Sequence, residues 1–287
     1  MTAAPTPKRV RAGHLAWVKA RLSERDWKIL ELVNQLHLVT GLQLDRLCFA
    51  ELTDRSRVVT RSRCLSRLVQ WRVLTRLPRR VGGAARGSSV AVYGIGAVGQ
   101  RLLIERDHAV GVVSSIRATR TPGERFINHI VATSQLYVDL LESTRAIPVV
   151  LQDFQCEPAA WWPLSKGRWL KPDAFAMLTA TAVAHLWWIE VDRATESLTT
   201  IQRKLRTYLD FLRGGQPGPG GGLPRVLITA PTESRRAAIH ALVARLPPPS
   251  DELFHVVLHD DAAAHMVRLL QSTGVVNSTV TTVTKAC

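Results

Sequence analysis

Apolar residues recur at helical spacing through the first third of the chain, and short strand-like runs follow them. The pattern predicts one helix from about Ser23 and another from about Thr40, because each of these side chains can cap the free amides of a first turn. The further predicted elements are a helix at 56–71, strands at 73–79 and 88–93, a glycine-rich turn at 81–87 and a helix at 96–106. Three helices followed by a hairpin are the order of a winged helix. We therefore expect a winged helix-turn-helix domain over residues 21–110, preceded by a flexible basic arm over residues 1–20.

The third predicted helix has an apolar side and a polar side when its residues are placed at intervals of about 100°. The apolar side, which is expected to pack on the domain, holds Val58, Leu65, Leu68 and Val69. The polar side holds Ser56, Thr60, Arg63, Arg67 and Gln70. Because arginine and glutamine can pair with base edges, we expect the polar side to enter the major groove of duplex DNA. An ordinary solvated surface would explain any single arginine equally well, but a whole basic face on this helix favours DNA.

Further arginines are candidates for contacts to the DNA backbone. Arg57 flanks the polar side of the third helix and suits a phosphate. Arg79, Arg80 and Arg86 lie on the predicted hairpin, from which they could reach a phosphate or the minor groove. Arg61 lies close to the apolar side, so we expect its stem to be partly buried and do not assign it to base recognition.

Positive charge is concentrated in the same part of the chain. Residues 1–125 contain 23 basic and 9 acidic residues, a net charge of +14, whereas residues 126–287 contain 15 and 14, a net charge of +1. An alternative explanation is that a GC-rich coding sequence increases the number of arginines. That effect would raise the basic content along the whole chain, and the near-neutral second part argues against it. The asymmetry therefore predicts a polyanionic partner for the first part, which we take to be double-stranded DNA.

From about residue 124 the pattern changes to strands and helices of a second domain. The predicted elements are helices at 124–144, 196–212, 233–245 and 260–272, and strands at 148–154, 169–178, 184–191, 225–230 and 254–258. The adjacent Trp187 and Trp188 must point to opposite faces of their strand, as a central strand covered on both sides requires. We expect an α/β domain over residues 122–272 and a tail over residues 273–287, which makes the whole chain an α/β protein of two domains.

Other classes of protein are not indicated. The four cysteines are scattered without a C-x-x-C pair, which predicts neither a zinc site nor a disulfide framework. The N-terminus lacks a secretory signal and no apolar run is long enough to span a bilayer, so we expect a cytoplasmic protein without a membrane partner. Residues 94–99 fit the glycine pattern of dinucleotide-binding folds, but no acidic residue ends a second parallel strand about 20 residues later, and we reject nucleotide binding.

Short motifs in both parts resemble one family. In the first part they are L-S-E-R-D-W-K-I-L-E-L (22–32), Q-L-D-R-L-C-F (43–49), R-C-L-S-R-L-V-Q-W-R-V-L (63–74) and V-Y-G-I-G-A-V-G (92–99). In the second part they are K-P-D-A-F (171–175), W-I-E-V-D-R-A-T-E-S (188–197) and K-L-R-T-Y (204–208). The chain thereby resembles the replication-relaxation family of actinobacterial plasmids and integrative elements. The resemblance implies a DNA-binding accessory role in the replication or mobilisation of a mobile element.

The second part also resembles the restriction-endonuclease-like fold of the PD-(D/E)XK superfamily. The resemblance lies in a P-D motif that ends at Asp173 on the second strand and an E-V-D motif that begins at Glu190 on the third. It implies that the carboxylates of Asp173 and Glu190 hold a divalent cation such as Mg²⁺, which activates water for phosphodiester cleavage. The superfamily places a lysine at position 192, where this sequence has Asp192. Lys204 on the next predicted helix is the candidate replacement, and its alternative role is that of an ordinary surface residue.

Three functions remain open on the sequence alone. The first is a DNA-binding accessory or regulator of plasmid or mobile-element replication and conjugative transfer, with a replication or transfer protein as a further partner and a homodimer as one assembly. The second is a metal-dependent endonuclease that uses Asp173, Glu190 and Lys204, with Mg²⁺ as its cofactor. The third is a transcriptional regulator whose second domain mediates assembly. We favour the first, with a degenerate nuclease-like domain that holds DNA or a partner protein.

Overall fold

The chain folds into two compact units, unit 1 (1–134) and unit 2 (135–287). Helices and strands occur in both units, which confirms the predicted α/β class. Across the described part of the chain, every helix is too short or too polar to cross a membrane. The structure is a computed structural model that describes residues 10–81, 90–109, 123–164, 167–181 and 183–283.

Unit 1 consists of helices and a small antiparallel sheet. Its elements are α1 (Ala12–Lys19), α2 (Glu24–Leu36), β1 (Val39–Thr40), α3 (Gly41–Cys48), α4 (Asp54–Gln70), β2 (Leu74–Val81), β3 (Val90–Ile95), α5 (Ala97–Ala109) and the first half of α6 (Glu124–Thr144). The strands lie in the order β1-β3-β2. β1 was not predicted, because a strand of two residues is too short to show periodicity; it pairs Val39 with Tyr93 of β3.

α2 and α3 begin at the caps that the sequence predicted. The Ser23 side chain accepts a hydrogen bond from the Asp26 amide, and the Asp26 carboxylate accepts one from the Ser23 amide. Thr40 and Gln43 make the same reciprocal arrangement at the start of α3. Each pair satisfies two amides that a helix start would otherwise leave without partners, so these residues fix where the helices begin. The Gln43 amide group also donates to the Val131 carbonyl at 2.9 Å, which ties α3 to α6.

Residues 12–19, which we expected to belong to a flexible arm, form α1. Leu15 and Val18 are buried, and the Trp17 ring meets the Trp71 ring edge-on with 5.3 Å between centroids. The prediction of a flexible arm is therefore wrong for this segment. Two buried residues three positions apart make too short an apolar pattern to stand out among basic neighbours. Residues 1–9 lie outside the described residues.

The apolar side of α4 packs as predicted at Leu65 and Leu68, which are buried, but not at Val58, which is 53% exposed. The buried residues of α4 all lie in its second half. A helical wheel records the direction of a side chain and ignores its position along the axis, and for this reason it placed Val58 in the core.

The glycines of the dinucleotide-like pattern have a packing role in unit 1. A Cβ at Gly96 would lie 2.2 Å from the carbonyl oxygen of Arg72, and one at Gly99 would lie 2.2 Å from that of Val73. Both contacts are shorter than any real Cβ contact, so only glycine allows α5 to approach the turn between α4 and β2 so closely.

Unit 2 contains a mixed five-stranded sheet with the order β10-β9-β8-β7-β4. Its elements are the second half of α6, β4 (Val150–Cys156), β5 (Trp162–Pro163), β6 (Trp169–Leu170), β7 (Ala174–Ala180), β8 (Val183–Val191), α7 (Leu198–Arg213), β9 (Arg225–Ala230), α8 (Glu233–Val243), α9 (Ser250–Leu253), β10 (Phe254–Leu258) and α10 (Ala262–Val283). β4, β7 and β8 pair antiparallel, whereas β8, β9 and β10 pair parallel. β8 is therefore the central strand, at which the pairing changes direction.

β8 is covered on both faces, as its two tryptophans predicted. Trp188 packs against Tyr208 of α7, and Trp187 contacts His265 of α10. Both tryptophans are fully buried. Because residues two apart on a strand share a face, Glu190 lies on the same side of the sheet as Trp188, facing α7.

Several boundaries in unit 2 differ from the prediction. The strand predicted over residues 169–178 is interrupted after Leu170, because Pro172 has no amide hydrogen to donate to a ladder. α7 begins after Ser197, whose side chain caps its first turn. α10 continues to Val283, where we expected a tail from residue 273. A helix that is already formed extends at little cost, even through valine and threonine.

A buried carboxylate links α2 to α4 in unit 1. Asp26 is 0% exposed, and both of its oxygens lie 2.7 Å from Nη2 of Arg67. The Ser23 amide and hydroxyl and the Cys64 thiol donate to the same carboxylate. Burial opposes the ionisation of Asp26, but the hydrogen bonds from Ser23, Cys64 and Arg67 outweigh it and hold its pKa below the usual value. Arg67 therefore contributes to the fold of unit 1.

Arg67→Ala should lower the free energy of unfolding of unit 1 by about 1–2 kcal/mol, because it removes a charged donor from a buried carboxylate. The loss should not be larger, because the Arg67 side chain is itself partly exposed. Urea unfolding measures the change. Arg63→Ala is the matched control, since Arg63 is exposed on the same helix and should leave stability within about 0.5 kcal/mol of the wild type. Equal stability of both variants would contradict the structural role of Arg67.

Candidate carboxylate–lysine site and candidate nucleic-acid interface

Glu190 is a buried carboxylate near the end of β8, with 7% of its surface exposed. Its Oε1 accepts a hydrogen bond from the Tyr208 hydroxyl at 2.6 Å, and its Oε2 accepts one from the Lys204 ammonium at 3.1 Å. Lys204 and Tyr208 are four residues apart on α7 and therefore lie on one face of the helix. α7 thus supplies one donor to each oxygen of Glu190.

Asp173 lies immediately before β7, beside the end of β8. Its carboxylate accepts the Val191 amide at 2.7 Å, and its own amide donates to the Ile189 carbonyl at 2.9 Å. These bonds anchor Asp173 to the residues on either side of Glu190, and its charge acts on both Glu190 and Lys204. The structure therefore brings Asp173, Glu190 and Lys204 together in one cluster.

Burial and charge shift the ionisation of this cluster. Burial raises the pKa of Glu190 to about 7, and repulsion from Asp173 adds to the effect, while Lys204 and Tyr208 oppose it. Burial lowers the pKa of Lys204, but the carboxylates of Glu190, Asp173 and Glu196 outweigh burial and hold that pKa above its ordinary value. Burial and the charge of Glu190 raise the pKa of Tyr208 well above its ordinary value. At neutral pH the ammonium is therefore charged and the phenol is a neutral donor.

Position 192, at which the nuclease resemblance led us to expect a lysine, is an acid with an ion pair of its own. Asp192 Oδ2 lies 2.7 Å from Nε of Arg235 and Oδ1 lies 3.0 Å from its Nη2. Arg235 belongs to α8 and also donates to the Glu196 carbonyl at 2.7 Å. Asp192 is thus paired with α8, and Lys204 supplies the ammonium that contacts Glu190.

The expected divalent cation does not fit the cluster as it is arranged. Among the described residues, no group of three or more His, Cys, Asp or Glu side chains is positioned to hold a metal ion. Mg²⁺ demands octahedral oxygen ligation at about 2.0–2.1 Å. Both Glu190 oxygens already accept hydrogen bonds from Tyr208 and Lys204. The residues around Glu190 therefore do not form a Mg²⁺ site in this arrangement.

Tyr208 and Glu196 belong to the cluster but were not selected from the sequence. Glu196 Oε2 lies 3.2 Å from the Lys204 ammonium. The signal for Tyr208 was its position four residues after Lys204, which places both on one helix face. The position of Glu196, just before α7, gave no comparable signal, because its contact depends on how the chain turns between β8 and α7.

The pH dependence of stability should carry the signature of Glu190. Its pKa is raised from 4.5 to about 7 in the folded chain, so the folded state binds more protons than the unfolded state between these values. The contribution of Glu190 to stability therefore falls as the pH rises from about 4.5 to 7. Relative to Glu190→Gln, the wild type should lose stability across this range in urea unfolding. A constant difference between the two proteins would contradict the raised pKa.

The exposed surface of α4 holds part of the polar side that we expected to contact DNA. Ser56, Arg63 and Gln70 are exposed, and Thr60 is half-buried. The Arg67 side chain is 43% exposed and pairs with Asp26. Within the described part of the chain, Arg63 has no ion-pair or hydrogen-bond partner. Arg63 is therefore available to a ligand, whereas Arg67 is already paired with Asp26.

The other arginines that we selected for DNA contacts differ in their surroundings. Arg57 Nη2 lies 2.7 Å from the Asp45 carboxylate on α3, so a phosphate would compete with this partner. Arg61 also pairs with Asp45 and is partly buried, as expected. Of the arginines that we predicted on the hairpin, Arg79 and Arg80 lie on β2. Arg86 lies outside the described residues.

A further exposed stripe of α4 was missed by the sequence analysis. It consists of Arg55, Val58, Ser62 and Ser66, which are all exposed. The helical wheel could have found the two serines, but it assigned Val58 to the core. The surface of α4 available to a ligand is therefore wider than the polar side that we predicted.

A search of curated proteins and a search of solved structures each found no match. The family model described as replication-relaxation matches residues 30–226, more than half of the chain, and this family suggests a role in plasmid or mobile-element replication. The chain therefore belongs to the replication-relaxation family, as its motifs predicted.

Proposed function

We propose that the protein binds double-stranded DNA through a winged helix in unit 1 and acts as an accessory protein in the replication and transfer of a plasmid or mobile element. The observation that carries this proposal is the exposed face of α4. Ser56, Arg63 and Gln70 are spaced seven residues apart, so they lie on one face at intervals of about 10 Å along the helix axis. Arginine and glutamine in such a row can contact base edges in a major groove.

The order of elements in unit 1 supports the assignment of α4 as the recognition helix. α2, α3 and α4 precede the β2–β3 hairpin, and β1, between α2 and α3, joins the same sheet. This is the order of a winged helix, in which the last helix before the hairpin enters the major groove. On this proposal the hairpin is the wing, and Arg79, Arg80 and Arg86 remain the candidates for contacts to the DNA backbone.

The balance of charge supports a polyanionic ligand for unit 1. At least five of its nine acidic residues form ion pairs within the unit: Asp26 with Arg67, Asp45 with Arg57 and Arg61, Glu31 with Arg106, Glu51 with Arg25, and Glu105 with Lys19. Residues 1–125 contain 23 basic residues and only 9 acidic ones. Most of the remaining positive charge therefore cannot be neutralised within the unit. Arg55 and Arg63 on the exposed surface of α4 are part of that excess.

For unit 2 we propose a nuclease-like domain that holds DNA or a partner protein without cleaving DNA. Its antiparallel β4, β7 and β8, followed by α7 and the parallel β9, resemble the core of restriction-endonuclease-like folds. The hydrogen bonds to both oxygens of Glu190 support the loss of cleavage. A replication or transfer protein, or a second copy of this chain, is the partner that we expect.

A metal-dependent endonuclease is the second candidate function. The observation that favours it is the proximity of Asp173, Glu190 and Lys204, the three residues that the nuclease resemblance selects. Catalysis would require Lys204 to release Glu190, and the second candidate therefore needs a rearrangement that the first does not.

Arg63→Ala should weaken binding to a duplex that the wild type has selected from a random-sequence pool by about tenfold, because one lost contact to a base or phosphate costs about 1–3 kcal/mol. Fluorescence anisotropy at fixed salt measures the affinity. Arg101→Ala is the matched control, since it removes one positive charge from an exposed position of α5 in the same unit. If Arg63→Ala and Arg101→Ala bind DNA equally well, α4 is not the recognition helix.

The affinity for DNA should also fall steeply with salt, because each neutralised phosphate releases counterions. A plot of log affinity against log salt concentration gives the number of phosphate contacts. If Arg63 contacts a base, Arg63→Ala should keep the slope of the wild type, whereas loss of a phosphate contact reduces it by about 1. An affinity that is independent of salt would contradict the electrostatic part of the proposal.

Supercoiled plasmid should stay intact when it is incubated with the wild type in Mg²⁺ or Mn²⁺, at protein concentrations that retard it in a gel. The hydrogen bonds that occupy Glu190 account for this outcome. Nicking by the wild type that disappears in Asp173→Ala would make the protein an endonuclease and favour the second candidate.

A further inference from the structure

We propose that the Lys204 ammonium takes the place of a metal ion in unit 2: it is a tethered cation that contacts the carboxylates of Glu190 and Glu196, beside Asp173, and keeps divalent cations out. This inference concerns unit 2 alone and does not depend on DNA binding by unit 1. It follows from the disagreement between the cation that the nuclease resemblance implies and the residues that surround Glu190.

The position of the ammonium is the first argument. Lys204 Nζ lies 3.1 Å from Glu190 Oε2 and 3.2 Å from Glu196 Oε2. Asp173 adds a third negative charge, which acts on Lys204 through space. An ammonium offers three donors and no acceptor, so a ring of carboxylate oxygens suits it. Two carboxylates thus contact the amine directly, and the charge of a third acts on it.

The charge balance is the second argument. A buried carboxylate such as Glu190 requires a positive charge or strong donors nearby, and a second carboxylate at Asp173 increases that requirement. Asp192 and Arg235 neutralise each other, so Arg235 is already engaged. Tyr208 donates to Glu190 as a neutral group. Lys204 therefore supplies the positive charge that this cluster needs.

The geometry of the backbone indicates what removal of the amine would leave. Two carboxylates from separate elements lie within 3.2 Å of the amine that would be removed: Glu190 near the end of β8 and Glu196 just before α7. Carboxylate oxygens are the ligands that Mg²⁺ and Mn²⁺ prefer. The Glu196 side chain is 42% exposed, which leaves it room to move inward to metal–oxygen distance.

The test is a titration of the full-length protein with Mn²⁺, without DNA, by isothermal calorimetry. Lys204→Met removes the charge but keeps an unbranched apolar stem against the sheet. We expect Lys204→Met to bind Mn²⁺ at least about tenfold more tightly than the wild type, because a competing positive charge is gone. Lys171→Met, which removes an exposed lysine of unit 2 outside the cluster, should bind no better than the wild type. Lys204→Met combined with Glu190→Gln should lose the gained affinity.

Two results would overturn the proposal. One is Mn²⁺ binding by the wild type that matches Lys204→Met and is lost on Glu190→Gln, because the ammonium would then exclude nothing. The other is a folded Lys204→Met, judged by circular dichroism, that binds no Mn²⁺. If Lys204→Met is unstable, Mn²⁺ must raise the unfolding temperature of this variant by more than it raises that of the wild type, since a ligand that binds the folded state stabilises it. Failure to do so would equally refute the tethered cation.

Discussion

Burying a carboxylate away from water costs free energy unless donors and positive charge compensate for it. Both units of this chain contain such a group, and much of each unit is arranged to accommodate it. In unit 1, Asp26 is enclosed by the start of its own helix and by α4. In unit 2, Glu190 lies on the central strand under α7. In each case the compensating cation comes from a helix that packs across the carboxylate, so the position of that helix and the ionisation of the acid are coupled.

This coupling separates two kinds of arginine on α4. Arg63 and Arg67 are one turn apart and chemically identical, yet one has no partner within the described residues and the other pairs with a fully buried acid. A loss of DNA binding on mutation of Arg67 would therefore mix a lost contact with a disturbed helix. A loss on mutation of Arg63 would report the contact itself. The same distinction applies to Arg57, which is held by Asp45 on α3.

Local features of the sequence predicted most of the fold, and long-range contacts account for what it missed. Capping side chains and strong periodicity located α2, α3 and α6 and the strands β9 and β10 to within a few residues, because these signals depend on neighbours in the chain. β1 and α1 are short, and their burial depends on β3 and on Trp71, which no local pattern reveals. In the candidate site, motifs selected Asp173, Glu190 and Lys204. The contacts of Tyr208, Glu196 and Arg235 required the packing of α7 and α8 against the sheet.

The geometry of the central strand accounts for the different partners of Asp192 and Glu190. Residues 190 and 192 lie two apart, so a lysine at 192 would stand on the same face as Glu190, directly after the end of β8. Here that position carries an acid, and Arg235 of α8 neutralises it. The positive charge for Glu190 has to come from elsewhere, and α7 is the element that covers this face. Lys204 of α7 approaches Glu190 from the face of the sheet that α7 covers and donates directly to its Oε2. In this arrangement the cation that contacts Glu190 is the Lys204 ammonium.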